Sequence, residues 1–232
     1  MHTHNHNEEH FTASDRLRDS VIGLSDGLTV PFALAAGLSG VVNSNHIIII
    51  GGIAEIVAGS IAMGLGGYLA GKTDVNHYHS ELKREYDEIE RLPEKEKQEV
   101  RDVFASYGLS EKAQNEITDA ISQDPDKWVD FMMKFELGLE KPEPGRALKS
   151  ALTIASAYII GGFIPLSGYF FTTQPIDGLR ISTMITLICL FLFGYLKSKL
   201  VGQSPIKGAF SVMLIGAIAS LSAFLIAKAV SH

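Results

Sequence analysis

Cysteine occurs once in the 232 residues, at Cys189, and tryptophan once, at Trp128. A single thiol excludes an intrachain disulfide framework and any multi-cysteine zinc or iron–sulfur site. The chain carries 20 Lys and Arg against 26 Asp and Glu, a formal net charge of −6. It lacks the basic excess used to bind phosphate backbones, so no nucleic-acid partner is expected. Residues 1–20 also lack the basic-then-apolar order of a cleaved signal peptide, which keeps the first apolar run in the protein.

What is present is segregated. The hydrophobic fraction is 46% although 20% of residues are charged. Five apolar stretches, at 21–42, 47–71, 151–171, 181–196 and 209–227, each approach the roughly 20 residues that cross a bilayer as a helix. Between the second and third lies a polar, helix-forming segment too hydrophilic for lipid. The pattern predicts an all-α membrane protein of five transmembrane helices, with a helical domain inserted between the second and third. The expected divisions are a histidine-rich tail at 1–18, helices one and two at 19–72, the inserted domain at 73–148, and helices three to five at 149–232.

Orientation follows from the cations. A cytoplasmic N-terminus and insert place Arg16, Arg18, Lys72, Lys149, Lys197, Lys199 and Lys207 on the cytoplasmic side, with Arg180 and Lys228 opposite. That asymmetry matches the excess of Lys and Arg found in short cytoplasmic flanks. The connections on the other side, 43–46 and 172–178, are short.

The insert reads as about four helices. Residues 74–92 are periodic, Pro93 opens a second helix that Gly108 ends, Ser110 caps a third, and Asp124-Pro125 supplies an N-cap followed by proline at the first helical position. Pro142 and Pro144 break the chain before it re-enters the membrane.

Of all the acids, only Asp26 and Glu55 fall well inside an apolar span, and no Lys or Arg sits at comparable depth. A carboxylate at mid-bilayer costs at least about 2.5 kcal/mol, so such residues usually face a cavity or path. The alternative is that each is protonated and hydrogen-bonded between helices. Gly51, Glu55, Gly59, Met63, Gly67 and Gly71 recur every fourth residue, and small residues on such a ridge admit a neighbouring helix closely. Glu55 and Met63 lie about 12 Å apart along the axis at ~1.5 Å per residue. They fit successive stations on a path, with Met63 nearer the cytoplasm. Pro31 frees the carbonyl of Gly27, beside Asp26, as a possible cation ligand, and Pro165 can do the same in the third span. Because a divalent cation favours the ionised carboxylate, protons and metal compete for one group. Proton–metal antiport follows as a hypothesis.

From Asp74 to Leu148 there are 19 acids against 11 bases, a net of −8, more negative than the whole chain. Glu81, Glu85 and Glu88 share one helix face, and Glu96 and Glu99 another. Lys83, Arg84, Lys95 and Lys97 are interleaved, which also suits a simple solvated face. Met132, Met133 and Glu136 follow, near Trp128, Phe131 and Phe135. Carboxylates with thioethers favour Fe²⁺, Mn²⁺, Co²⁺ or Zn²⁺ over Mg²⁺ or Ca²⁺. Di-iron oxidases need Glu-x-x-His pairs on two helices, and the insert has none. The N-terminal His2, His4, His6 and His10 fix no geometry.

The run Gly23-Leu24-Ser25-Asp26-Gly27-Leu28-Thr29-Val30-Pro31-Phe32-Ala33-Leu34-Ala35-Ala36-Gly37-Leu38, with Ala54-Glu55-Ile56 and Ser60-Ile61-Ala62-Met63-Gly64-Leu65-Gly66-Gly67-Tyr68-Leu69-Ala70, resembles the vacuolar iron transporter family. The resemblance implies five spans, a homodimer, and proton-driven movement of Fe²⁺, often with Mn²⁺, out of the cytoplasm. It implies a transport path through Asp26, Glu55 and Met63. It also implies metal capture in the cytoplasmic domain by Glu85, Glu88, Glu96, Glu99, Met132, Met133 and Glu136. The expected order is from that domain to Met63, Asp26 and then Glu55. No prosthetic group is expected, only cargo metal, protons and membrane lipid. Homologues occur in prokaryotic cell membranes and in vacuoles, and the compact chain with short external loops favours the former. The competing readings are a membrane-anchored metal sensor or storage protein and a ferroxidase.

Overall fold

The computed structural model describes residues 15–231. The N-terminal histidines lie outside the described residues. Among those residues the chain is all helical: α1 (Asp15–Ser39), α2 (Asn45–Arg91), α3 (Pro93–Ser106), α4 (Glu111–Ile121), α5 (Pro125–Phe131) with a π-helical turn (Met132–Glu136), α6 (Arg146–Phe170), α7 (Pro175–Leu200) and α8 (Pro205–Val230). Two compact units form, one spanning Leu69–Ala147 and the other comprising the segments up to Tyr68 and from Leu148 onward.

The second unit is a bundle in which α1, α2, α6, α7 and α8 are each long and apolar enough to cross a membrane. Its outer surface carries large apolar side chains, such as Ile53, Val57, Ile61 and Leu65 on α2 and Phe210, Leu214, Ile218 and Leu225 on α8. In water such a surface would be costly, and lipid is its natural solvent. Inside, Leu28, Phe32, Ala35, Ile48, Ile56, Tyr158, Leu166 and Tyr169 are buried. At the end where α1 gives way to α2, Asn45 Nδ2 donates to the Thr172 carbonyl at 2.7 Å, and the Ser39 and Tyr169 hydroxyls share a 2.8 Å bond. These donors are paired because lipid offers no substitute partner, while Asn45 Oδ1 has no hydrogen-bond partner among the described residues.

The predicted helix at 74–92 is not separate from the second span. No proline interrupts the chain between Asn45 and Arg91, so α2 runs unbroken for 47 residues, about 70 Å at ~1.5 Å per residue. The apolar run ends near Gly71, but a change of solvent does not end a helix when every residue still accepts helical geometry. α1 and α6 likewise continue through Pro31 and Pro165.

The polar unit forms as its punctuation predicts. Pro93 stands at the start of α3. Gly108, at φ +79°, takes the left-handed conformation that closes that helix. The Ser110 hydroxyl accepts from Ala113 N, and the Asp124 carboxylate from Asp126 N and Lys127 N ahead of α5. The π turn is the element that sequence did not indicate. Leu137 N bonds Met132 O at 3.1 Å, five residues back, which inserts one residue into the turn. The core of this unit joins Tyr78, Ile89, Val100, Trp128, Val129, Met132 and Met133.

Candidate functional site

In the membrane bundle the site grows from a helix crossing. Gly23 and Gly27 of α1 rest on the α6 backbone: a methyl group at Gly23 would sit 2.9 Å from Ala157 Cβ, and one at Gly27 2.9 Å from Tyr158 Cα. From α2, Gly59 faces the Tyr158 ring, where an added Cβ would lie 2.6 Å from Cζ. Glycine on two helices thus clamps one buried tyrosine on a third. One turn before Gly59, Glu55 accepts a short hydrogen bond at Oε1 from the Tyr158 hydroxyl. Its other oxygen, Oε2, is buried and has no hydrogen-bond partner among the described residues. Leaving a buried carboxylate oxygen unmatched costs on the order of 1–3 kcal/mol or more, so the position suits a bound proton or cation.

Asp26 lies one residue before Gly27, half-buried, within electrostatic range of the same phenol. Glu55 thus bonds Tyr158, and Asp26 stands next to Gly27, which rests on the same residue's backbone. Met63 is half-buried on α2, two turns from Glu55, and is not part of that grouping.

In the polar unit, Glu85 and Glu88 of α2 meet Glu96 of α3, with one carboxylate oxygen from each inside 4.8 Å of the others. Glu85 is 2% exposed and Glu96 0%. Glu85 Oε2 and both oxygens of Glu96 lack a hydrogen-bond partner among the described residues. Burial, reinforced by Glu136 and Glu88 and opposed by Arg84, pushes the Glu85 carboxyl up to about 7. Burial, with Glu99 and Glu85 adding to it and Lys95 opposing, pushes Glu96 up to about 7 as well. Glu136 is raised by burial first and then by Glu99. Five acids thus repel one another in one place. The cations present stay at the rim: Arg84 reaches Glu81 at 2.6 Å but Glu85 and Glu88 only at 3.8 and 3.7 Å, and Lys95 reaches Glu99 at 2.9 Å but Glu96 at 3.6 Å. The sequence alternative of a solvated face is therefore corrected for Glu85 and Glu96, which are buried.

The VIT family matches residues 17–228. The chain belongs to that family. Relatives include vacuolar iron transporter 1 of Arabidopsis thaliana, 53% identical over 98% of this chain and 91% of the relative. Vacuolar iron transporter 1 of Tulipa gesneriana is 52% identical over 97% and 91%, and Protein CCC1 of Saccharomyces cerevisiae 37% identical over 91% and 68%. Membership supports an integral membrane transporter rather than an enzyme.

For this family member, the two methionine candidates of the polar unit stand in its core. Met132 and Met133 are 0% and 1% exposed in the apolar core of the polar unit. They pack with Tyr78, Val100 and Trp128 and are the first two residues of the π turn. Glu81, which the resemblance left unassigned, is held by Arg84. Two groups escaped the sequence reading. Tyr158 resembles any aromatic in an apolar span, and its one signal was a hydroxyl needing a partner in lipid. Asp19, close to the polar start of α1, is buried and engages a partner.

Proposed function

We propose that this protein exchanges protons for Fe²⁺, and for Mn²⁺ or other transition-metal ions, moving the metal out of the cytoplasm. The observation that carries the reading is Glu55, inside a membrane helix, with one oxygen bonded by Tyr158 and the other buried and open. A proton at Oε2 neutralises the carboxylate. A divalent ion arriving from Asp26 displaces that proton, and the Tyr158 hydrogen bond holds the remaining oxygen in a fixed orientation. Since one oxygen cannot hold both, loading metal releases a proton and reprotonation from the far side releases metal.

The polar unit is the cytoplasmic collector. Glu85, Glu88 and Glu96 bind the ion, Glu99 and Glu136 add negative field, and Met132, one turn before Glu136, offers a thioether that favours softer ions. The basic residues flanking the spans support its cytoplasmic placement. The names of the plant relatives, vacuolar iron transporters, support iron as cargo and a vacuolar membrane as the location. None of the relatives reported above supports the prokaryotic cell membrane that short loops suggested.

The homodimer has support in a second ridge on α2. Ala54, Ala58, Ala62, Gly66 and Ala70 recur every fourth residue, are exposed, and Gly66 has nothing within 4 Å of an added Cβ. Small residues at this spacing let two membrane helices approach closely.

The test is metal uptake into liposomes by Asp26→Ala and Glu55→Ala variants. Both should lose transport while the detergent-solubilised proteins still bind metal at the polar unit. Normal uptake by either variant would remove the path assignment and favour a membrane-anchored metal-binding protein.

A further inference from the structure

At the end of the bundle where α1 begins and α7 ends, a pocket of about 190 Å³ opens between the two helices. Leu17, Val21, Leu200 and Val201 wall it, and Arg18 and Lys197 stand beside them. Neither cation makes an ion pair or a side-chain hydrogen bond with another described residue. Both are exposed. Lys197 sits in the last turn of α7 and Arg18 in the first turn of α1. The pocket therefore lies where a membrane helix passes from hydrocarbon to headgroups. Two unmatched positive charges over an apolar floor match one class of molecule in that layer.

We propose that this pocket binds an anionic phospholipid, whose phosphate lies between Arg18 and Lys197 and whose glycerol and upper acyl chain fill the apolar floor. A free inorganic anion would gain the charges but nothing from Leu17, Val21, Leu200 and Val201. A zwitterionic lipid would gain the floor but offer the two cations no net negative charge. Basic pockets between membrane helices on the cytoplasmic side recognise acidic headgroups by this combination. The orientation proposed above fixes only which leaflet supplies the lipid, so binding itself stands apart from the transport reading.

The experiment is native mass spectrometry of the full chain in detergent, titrated with phosphatidylserine or phosphatidylcholine of matched acyl chains. Metal is left out, so failure of transport would not affect the readout. Retention of one phosphatidylserine per chain, well above phosphatidylcholine, is expected. Removing both cations in R18Q/K197Q should weaken retention about 25-fold, from roughly fivefold per cation. The equal charge change R180Q/K228Q, at the opposite end of the bundle, should alter it less than about twofold. Val21→Trp, which fills the floor and leaves the charges, should also abolish it. The proposal fails if both double variants lose lipid equally, if R18Q/K197Q retains it, or if millimolar inorganic phosphate competes. It also fails if R18Q/K197Q changes the ratio of dimer to monomer and leaves lipid retention intact, since the pocket would then be a contact between copies.

Discussion

Metal binding by the glutamate cluster should collapse between pH 8 and pH 6, far above the range in which ordinary carboxylates titrate. Glu85 and Glu96 are both held at about 7 by burial and mutual repulsion. Each is therefore about nine-tenths ionised at pH 8 and about one-tenth at pH 6. If the ion displaces a proton from one of them, the apparent affinity falls about 10-fold across that interval, and if from both, about 100-fold. The pair shares one field, so the slope reports protons released by the cluster rather than by a single residue. The assay is calorimetric titration of the full-length D26N/E55Q protein with Mn²⁺ at pH 6, 7 and 8, which removes the membrane acids from the signal. Repeating it in buffers of different ionisation enthalpy counts the protons. About one-half to one proton released per ion at pH 7, rising to about one to two at pH 6 and falling to about a tenth to a fifth at pH 8, is expected. An affinity that does not change between pH 6 and 8, with no proton release, would refute the buried-cluster reasoning.

In the metal-free protein the same groups bind more protons folded than unfolded between about pH 4.5 and 7, so stability falls as pH rises through that window. Thermal unfolding in detergent should be higher at pH 5.5 than at pH 8, and Mn²⁺ should restore it at pH 8; a metal-free midpoint that rises with pH would contradict this. Tyr158→Phe keeps the ring but leaves Glu55 with neither oxygen bonded, and liposome uptake should fall at least about 10-fold, since a hydrogen bond to a charged group is worth about 1.5–3 kcal/mol. Uptake equal to wild type would show that the phenol does not position the acid. Gly59→Ala puts a methyl group into the Tyr158 ring and should cost about 1–3 kcal/mol of stability, read as a lower unfolding midpoint. Gly66→Ala meets nothing among the described residues and should leave the midpoint of the monomer unchanged while weakening the dimer.

The helices and their punctuation were legible because the signals are local. Apolar length marks a span wherever it occurs, and Pro93, Ser110 and Asp124-Pro125 act on the one or two backbone groups beside them. The acids in the membrane were legible because so few charges enter lipid that each demands a reason. What escaped depends on partners distant in sequence. Tyr158 becomes functional only because Gly27 and Gly59, from two other helices, bring it to Glu55. The burial of Glu85 and Glu96 follows from how α3 folds against α2, whereas spacing along either helix gave only a shared face. The π turn shows no composition signal, and it decides where Met132 and Glu136 stand. The unbroken α2 escaped for the opposite reason: a change from apolar to polar composition looks like a boundary, but the backbone meets no breaker there.

The central claim is exchange of metal for protons at Glu55. It is tested most directly by Fe²⁺ flux into liposomes, kept anaerobic and holding the full-length protein, under an imposed pH gradient with the membrane potential clamped. The account predicts that an acidic interior drives Fe²⁺ inward and that the lumen becomes more alkaline as metal enters. It predicts that E55Q abolishes both fluxes together. Fe²⁺ entering at the same rate with and without the gradient, with no change in lumenal pH, would contradict it.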